Sequence, residues 1–181
     1  MGASLMVARR VAAKRGYLAI GIRDRGPIGR GLKKAYNDAS KKAWHATAVY
    51  FHEHLREKRF TPEHAKAAGY HARKGENLDP NSKAFRKSYY GRKLRSKFGG
   101  GRGVANPLIW TGATYRAMRS ASVTSTSKRG RVAYRGASKF SFRHPRSRIR
   151  MHDEFRRLLA SEIQELARVY DTHLDREWDQ S

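Results

Sequence analysis

Cysteine is absent from this sequence, and acidic residues are scarce in it. Without cysteine, the chain has no disulfide bond, no thiolate metal ligand and no cysteine nucleophile, and it suits a reducing compartment. Only 15 Asp and Glu residues stand against 40 Lys and Arg residues, so paired catalytic carboxylates have few candidates. No apolar run approaches the roughly 18 residues that a membrane-spanning helix requires, and we expect no membrane partner.

Positive charge dominates what is present. The formal net charge is +25 and the isoelectric point is about 11.1, which attracts nucleic acid, acidic protein surfaces or anionic membranes. The first 152 residues carry a net charge of +29 and the last 29 carry −4. This asymmetry predicts a basic body and an acidic C-terminal helix whose carboxylates face outward, for self-association or for docking on a basic neighbour.

The spacing of apolar residues predicts an α+β fold. Steps of three and four indicate a long N-terminal amphipathic helix over residues 31–59 and a last helix over residues 153–174. A helical linker lies between them, with one helix beginning at Thr61-Pro62 and a basic helix over residues 82–98. The Ser/Thr-rich stretch that follows residue 120 predicts the first strand of a β-hairpin in a small antiparallel sheet.

Further boundaries follow from turn residues and composition. The hairpin is predicted to turn at residues 128–130, and residues 139–152 to form a short strand and a basic loop. The predicted organisation is a basic N-terminal arm over residues 1–30 with a short strand near residue 17, a single α+β domain over residues 31–175, and an acidic tail over residues 176–181.

Motifs for catalysis and cofactor binding find no match. The phosphate-binding Walker pattern is missing, and the glycine-rich residues 99–103 lack the spacing of a dinucleotide fingerprint, so they are interpreted as a flexible loop. His45 and His52, like His64 and His71, lie seven residues apart and do not form the His-Glu-x-x-His zinc pattern. We therefore expect no enzyme, no catalytic residues, no cofactor and no metal site. A nuclease or other phosphate enzyme is the weaker alternative.

One apolar stretch, NPLIWTGATYRAM at residues 106–118, interrupts the basic and polar chain. Its proline is expected to end the glycine loop, and its three large apolar residues to anchor the chain to the core. Thr111 is expected to cap a short helix through its hydroxyl group, and Gly112 to let the chain turn closely. The candidate structural motif comprises Pro107, Leu108, Ile109, Trp110, Thr111 and Gly112.

A second set of candidates is basic and lies between residues 128 and 150, where its density points to contacts with DNA or acidic partners. Its members are Lys128, Arg129, Arg131, Arg143, Arg146, Arg148 and Arg150. Aromatic residues interleave with cations here and in residues 85–98, as they do in proteins that hold single-stranded nucleic acid. A ribosomal or other RNA-binding structural protein is therefore the alternative function.

The order of these features resembles the neck and tail-completion (virion morphogenesis) proteins of tailed bacteriophages. Sequences of that family carry a Pro-Leu-apolar-x-Thr-Gly pattern ahead of a β-hairpin, followed by an Arg and a Ser. The first part matches Pro107, Leu108, Ile109, Thr111 and Gly112, while Arg116 or Arg119 matches the Arg and Ser120 or Ser122 the Ser. The usual Leu after Thr-Gly is replaced, and Ala113, Thr114 and Tyr115 stand there. The resemblance covers about residues 30–175.

This resemblance implies a non-enzymatic virion protein, assembled in the host cytoplasm and located in the neck or tail. Such a subunit forms a homo-oligomeric ring that joins the portal or adaptor to the tail, with packaged DNA as a non-specific partner. A closed ring requires heterologous contacts, and a basic body against an acidic tail helix supplies one complementary pair.

Overall fold

Helices and small antiparallel sheets make up the structure, which confirms the predicted α+β class. A computed structural model describes residues 9–14, 17–22, 30–97, 100–101, 104–141 and 147–180. The chain packs as two compact units: the first comprises Met1–Glu53, Ser122–Ala133 and Ala160–Ser181, and the second His54–Ala121 and Tyr134–Leu159. The predicted domain boundaries at residues 30 and 175 stay a prediction.

The regular elements run in the following chain order. They are β1 (Arg9–Lys14), β2 (Tyr17–Ile22), α1 (Arg30–Tyr50), a π-helix (Phe51–Leu55), a 3₁₀-helix (Glu57–Phe60), α2 (Pro62–Ala67), α3 (Lys83–Lys87), α4 (Tyr89–Leu94), β3 (Gly100–Gly101), β4 (Val104–Ala105), α5 (Ala113–Ala117), β5 (Ala121–Thr126), β6 (Arg129–Tyr134), a second 3₁₀-helix (Arg135–Ser141), α6 (Met151–Arg156) and α7 (Ala160–Asp179). The long helix predicted over residues 31–59 is confirmed as α1 and its two continuations.

In the first unit, α1 and α7 pack along small and aromatic residues. Ala39 and Ala43 are buried one turn apart on one face of α1, which lets α7 approach closely. The rings of Trp44 and Tyr170 lie 4.5 Å apart between centroids, and the Tyr170 hydroxyl is 2.8 Å from the Ser40 hydroxyl. Burial raises the pKa of Tyr170 to about 12, so this phenol stays protonated at neutral pH.

The prediction that the carboxylates of the last helix face outward is wrong for three carboxylates of α7. Lys42 donates to Glu177 at 2.7 Å, the Tyr50 hydroxyl donates to Glu165, and Glu162 is buried. Residues later in α1 pair with residues earlier in α7, so the two helices run antiparallel. Part of the C-terminal negative charge is therefore used within the chain, because polar and basic side chains of α1 lie opposite it.

The predicted hairpin is confirmed as β5 and β6, with its turn placed earlier than expected. The two connecting residues are 127 and 128, and Arg129 and Gly130 already belong to β6. The Ser40 hydroxyl donates to the Ser127 carbonyl at 2.7 Å, so α1 holds the turn in this position.

The predicted strand near residue 17 is β2, and its partner was not foreseen. β2 pairs antiparallel with β1, from Lys14 opposite Tyr17 to Arg9 opposite Ile22. The arm at residues 9–14 is thus a strand, because backbone pairing overrides its weak sequence pattern.

The second unit surrounds one apolar cluster with short helices. The cluster consists of Phe60, Leu108, Met118, Phe140 and Phe155. The predicted helix start at Thr61 is confirmed, because the Thr61 hydroxyl accepts from the His64 N–H at 3.3 Å and Pro62 opens α2. The helix ends at Ala67, and Gly69 follows with φ of +63°, as expected of a residue beyond a helix end.

The single basic helix predicted over residues 82–98 is wrong: it is two short helices, α3 and α4. Ser88 between them has an extended backbone and caps α4, with its hydroxyl accepting from the Gly91 N–H at 3.0 Å. Gly91 is buried against α3, and a Cβ there would lie 2.1 Å from the Phe85 carbonyl oxygen. The glycine therefore permits a close backbone approach rather than merely weakening a helix.

We expect Gly91→Ala to lower the free energy of unfolding by about 1–3 kcal/mol, although alanine favours helix by about 1 kcal/mol. The added Cβ would meet backbone atoms of Phe85, which cannot rotate away. Gly31→Ala is the matched control, because a Cβ at Gly31 meets nothing within 4 Å, and it should stabilise by about 0.4–1 kcal/mol. Urea unfolding checks both, and a stabilised Gly91→Ala would show that the close approach is absent.

Three further expectations are corrected. The glycine loop at residues 99–103 contains strand β3, which pairs antiparallel with β4 directly after the loop. The strand expected near residue 139 is the second 3₁₀-helix, because Phe140 packs into the apolar cluster. The last helix is broken into α6 and α7 at Arg157, whose backbone is extended and whose guanidinium donates to the carbonyls of Ala68 and Gly69 at 2.7 and 2.8 Å.

Candidate functional site

The motif at residues 107–112 forms a tight corner in the second unit. Pro107 and Leu108 are buried, and Leu108 has φ of +59°, the left-handed region that a non-glycine residue rarely adopts. Ile109 is partly buried against the same apolar cluster. The expected anchoring to the core is therefore confirmed for Leu108, and Ile109 contributes to it.

Trp110 departs from its predicted role in the core. Its side chain is 41% exposed and stacks on Tyr89 of α4, with ring centroids 5.1 Å apart and planes 23° apart. Tyr89 is itself 38% exposed. The break at Ser88 turns Tyr89 outward, and the strained Leu108 turns Trp110 toward it. The result is an aromatic pair open to solvent.

The short helix α5 was expected to be capped by Thr111, but its capping residue is one position later. The capping residue is Gly112, with φ of +75°. The Thr111 hydroxyl accepts from the Ala113 N–H at 3.4 Å, so it does accept a backbone N–H from just outside the helix. Gly112 is required because this left-handed conformation is unfavourable for residues with a Cβ.

Exposed cations flank Tyr89 in the sequence. They belong to α3, α4 and the residue after α4, namely Lys83, Arg86, Lys87, Arg92 and Arg95. The guanidinium of Arg95 donates to the Arg86 carbonyl at 2.6 Å, and that of Arg86 to the Asn81 carbonyl at 2.9 Å. These bonds hold the Arg86 and Arg95 side chains against backbone carbonyls of α3 and of the loop before it. We call Tyr89, Trp110 and these five cations the aromatic–basic surface.

The basic residues predicted between 128 and 150 do not form a single group within one unit. Lys128, Arg129 and Arg131 are exposed on the hairpin of the first unit, and Arg148 and Arg150 are exposed in the second. Arg143 and Arg146 lie outside the described residues.

A network of buried charges was not predicted from the sequence. Glu154 is 1% exposed and accepts from the Arg73 guanidinium at 2.9 and 2.6 Å and from the His71 N–H at 3.1 Å. Lys93 is 2% exposed, and burial, followed by the nearby Arg73, lowers its pKa to about 8. Arg59 is also buried and bonds to His64. The sequence offered one signal for such buried charges, which was the high density of cations in helices that have few apolar residues to form a core.

Metal ligands and membrane spans are also relevant to the site. In the part of the chain that the structure describes, no group of three or more His, Asp or Glu side chains is placed to hold a metal ion. None of the helices in the described ranges has the length and apolar character needed to cross a membrane.

The geometry thus defines an α+β protein with an exposed aromatic pair on a strained, buried corner. Comparison with known proteins adds no relative: the chain matches no protein-family model, no curated protein and no solved structure. The resemblance to phage neck proteins therefore stays a prediction carried by the Thr-Gly motif.

Proposed function

We propose that the protein is a structural subunit of the head–tail neck of a tailed bacteriophage, which forms a homo-oligomeric ring and joins the portal or adaptor to the tail. The observation that carries the proposal is the exposed stack of Trp110 on Tyr89, at the motif that resembles this family. Tryptophan, tyrosine and arginine are the residues that dominate binding energy at protein interfaces. A subunit that works by assembly needs an exposed surface of this kind to bind its neighbours, whereas folding of the subunit does not require exposed aromatic residues.

The distribution of charge supports the same role and refines the expected partners. Glu165 and Glu177 of α7 are used within the chain, so α7 offers less negative charge to a neighbouring copy than the sequence implied. We infer that the aromatic–basic surface meets acidic surfaces of portal or tail proteins, and that the hairpin cations face acidic partners or exiting DNA. Phosphate contacts of the latter kind are independent of sequence and sensitive to salt.

Trp110→Ala is expected to abolish the joining of heads to tails while changing the free energy of unfolding by less than about 1 kcal/mol. The side chain is not part of the buried apolar cluster and stacks on the exposed Tyr89, so its loss removes contact area for a partner and leaves the core intact. The measurement is an in vitro complementation in which purified protein is added to heads and tails and infectious particles are counted. Native mass spectrometry of the wild-type chain tests the ring directly.

Trp178→Ala is the matched control. Trp178 is 40% exposed but lies on α7 of the first unit, where its ring contacts Tyr36 at 6.1 Å between centroids. We expect this variant to support joining at the wild-type level. Normal joining by Trp110→Ala, or a wild-type chain that neither forms a ring nor restores infectivity, would contradict the proposal.

One observation favours the alternative of an RNA-binding structural protein. Aromatic side chains among arginines provide stacking platforms for unpaired bases, each stacked base contributing about 1–3 kcal/mol. If this function is correct, RNA copurifies with the chain, its affinity falls steeply with salt, and Trp110→Ala weakens RNA binding more than Trp178→Ala does.

A further inference from the structure

A cavity in the second unit is lined by a buried lysine of α4. The cavity has a volume of about 410 Å³, and its lining includes Lys93 and Tyr90 of α4 together with Lys66, Arg73 and Glu76. Lys93 is 98% buried, and within the described residues its ammonium group makes no hydrogen bond or ion pair. Lysine is almost never buried to this degree unless it is paired.

The nearby carboxylates do not neutralise Lys93. Both oxygens of Glu154 are taken by Arg73, and the backbone N–H of Arg73 donates to Glu76 at 2.6 Å. Glu154 and Glu76 act on Lys93 only through space, and the positive Arg73 opposes them. Lys66, Arg73 and Lys93 together carry three positive charges against two negative charges on Glu76 and Glu154, so the cavity keeps an excess of one positive charge, which an anion from solution can compensate.

We propose that this cavity is a binding site for a phosphate group, a tetrahedral oxyanion held by the Lys93 ammonium. Carboxylate is a poorer match, because the forked edge of the Arg73 guanidinium that would bind it is already occupied by Glu154. Lysine binds phosphate as a point charge with three donors, and Tyr90, which also lines the cavity, carries a hydroxyl that can donate to another oxygen. The phosphate is either a free ion or part of a nucleic-acid backbone. The site lies beyond the proposed head–tail role and does not depend on it.

The pH dependence of binding follows from the titration of Lys93. The groups that surround it or line its cavity are Arg73, Glu76, Glu154, Lys66, His71 and Tyr90. The pKa of Lys93 is lowered from 10.5 to about 8, so the ammonium is mostly present at pH 7 and is lost above pH 8. Affinity for an anion should be constant below pH 8 and fall about tenfold per pH unit above it. Without an anion the sign is opposite: between pH 8 and 10.5 the unfolded chain holds more protons, and stability rises with pH.

Sulfate is the test probe, because it has the geometry of phosphate but does not titrate in this range. We would follow the midpoint of thermal unfolding of the full chain as chloride is replaced by sulfate at constant ionic strength. Sulfate should stabilise the wild-type chain at pH 7, and the effect should shrink at pH 9.5. Lys93→Met should raise the midpoint in chloride, since it removes an unpaired buried charge, and should reduce the apparent sulfate affinity at least about tenfold.

Lys87→Met is the control, because Lys87 is exposed on α3 and does not line the cavity. Sulfate also stabilises proteins by exclusion from their surface, which acts equally on all three chains. Equal responses of wild type and Lys93→Met would overturn the proposal, and so would a lowered midpoint of Lys93→Met in chloride. If Lys93→Met does not fold, a sulfate effect in the wild type that does not change between pH 7 and 9.5 overturns it instead.

The two sources of phosphate are separated by a second ligand. A free ion is supported if inorganic phosphate shifts the unfolding midpoint as much as sulfate does, and if Lys93→Met and Lys87→Met lower the affinity for an oligothymidylate equally. An oligothymidylate whose affinity falls more in Lys93→Met than in Lys87→Met supports a backbone phosphate.

Discussion

Replacing Glu154 with glutamine is expected to lower the free energy of unfolding by about 3–5 kcal/mol. Glu154 and Arg73 are 2% and 10% exposed at their side chains, so the pair is nearly isolated from solvent. Removing the carboxylate charge leaves Arg73 buried without its counter-charge and strengthens the repulsion between Arg73 and Lys93. A buried salt bridge often stabilises a fold no more than apolar residues of the same size would. Removing only one of its partners is costly, because the desolvation of the remaining ion is no longer offset.

Urea unfolding with Asp153→Asn as control would measure this effect. Asp153 adjoins Glu154 in α6 but is half exposed, and its nearest partners, His152 and Arg150, lie 3.7 and 3.8 Å away. A surface pair of this kind contributes about 0–1 kcal/mol, so the control should scarcely change stability. Equal, small losses for both variants would mean that Glu154 is solvated and that the buried charge network does not exist.

The long elements of the fold were predictable because their apolar residues repeat regularly. α1 and the hairpin each carry a periodic pattern, and local pattern decides such elements. The breaks were not predictable. Ser88 and Arg157 interrupt helices through bonds to residues that the local pattern does not specify, and at Arg157 the partners lie almost 90 positions away.

The candidate site shows the same division. That Leu108 belongs to the core follows from its apolar neighbours, and the structure agrees. That Trp110 faces solvent does not follow from them, because its direction depends on the left-handed backbone at Leu108 and on Tyr89 in another helix. Glu154 was interpreted as outward-facing because its partner, Arg73, is 81 residues away. Contacts of this range determine which charges are buried, and composition cannot identify them.

The corner therefore combines a folding role and a surface role in adjacent residues. Leu108 is in the core and Trp110 is on the surface, so substitutions two positions apart should affect different measurements. This makes the Leu108 variants the counterpart of Trp110→Ala.

Leu108→Ser is expected to lower the free energy of unfolding of the isolated chain by about 3–5 kcal/mol. A buried leucine cut to alanine costs about 2–5 kcal/mol through lost contacts and a cavity, and the serine hydroxyl adds a buried polar group without an assured partner. Leu108 is 8% exposed and contacts the cluster that includes Phe60, Met118 and Phe155, so little relaxation of the site is available. Circular dichroism during urea titration would measure the loss.

The backbone at Leu108 allows a sharper test. At φ of +59°, alanine retains the strain of a left-handed residue, whereas glycine is free of it, and the difference is about 1–2 kcal/mol. Leu108→Gly should therefore be at least as stable as Leu108→Ala, the reverse of the order at ordinary positions. If Leu108→Ser stays fully folded and loses only the joining of heads to tails, the whole corner is an interface, and its assignment to the core is wrong.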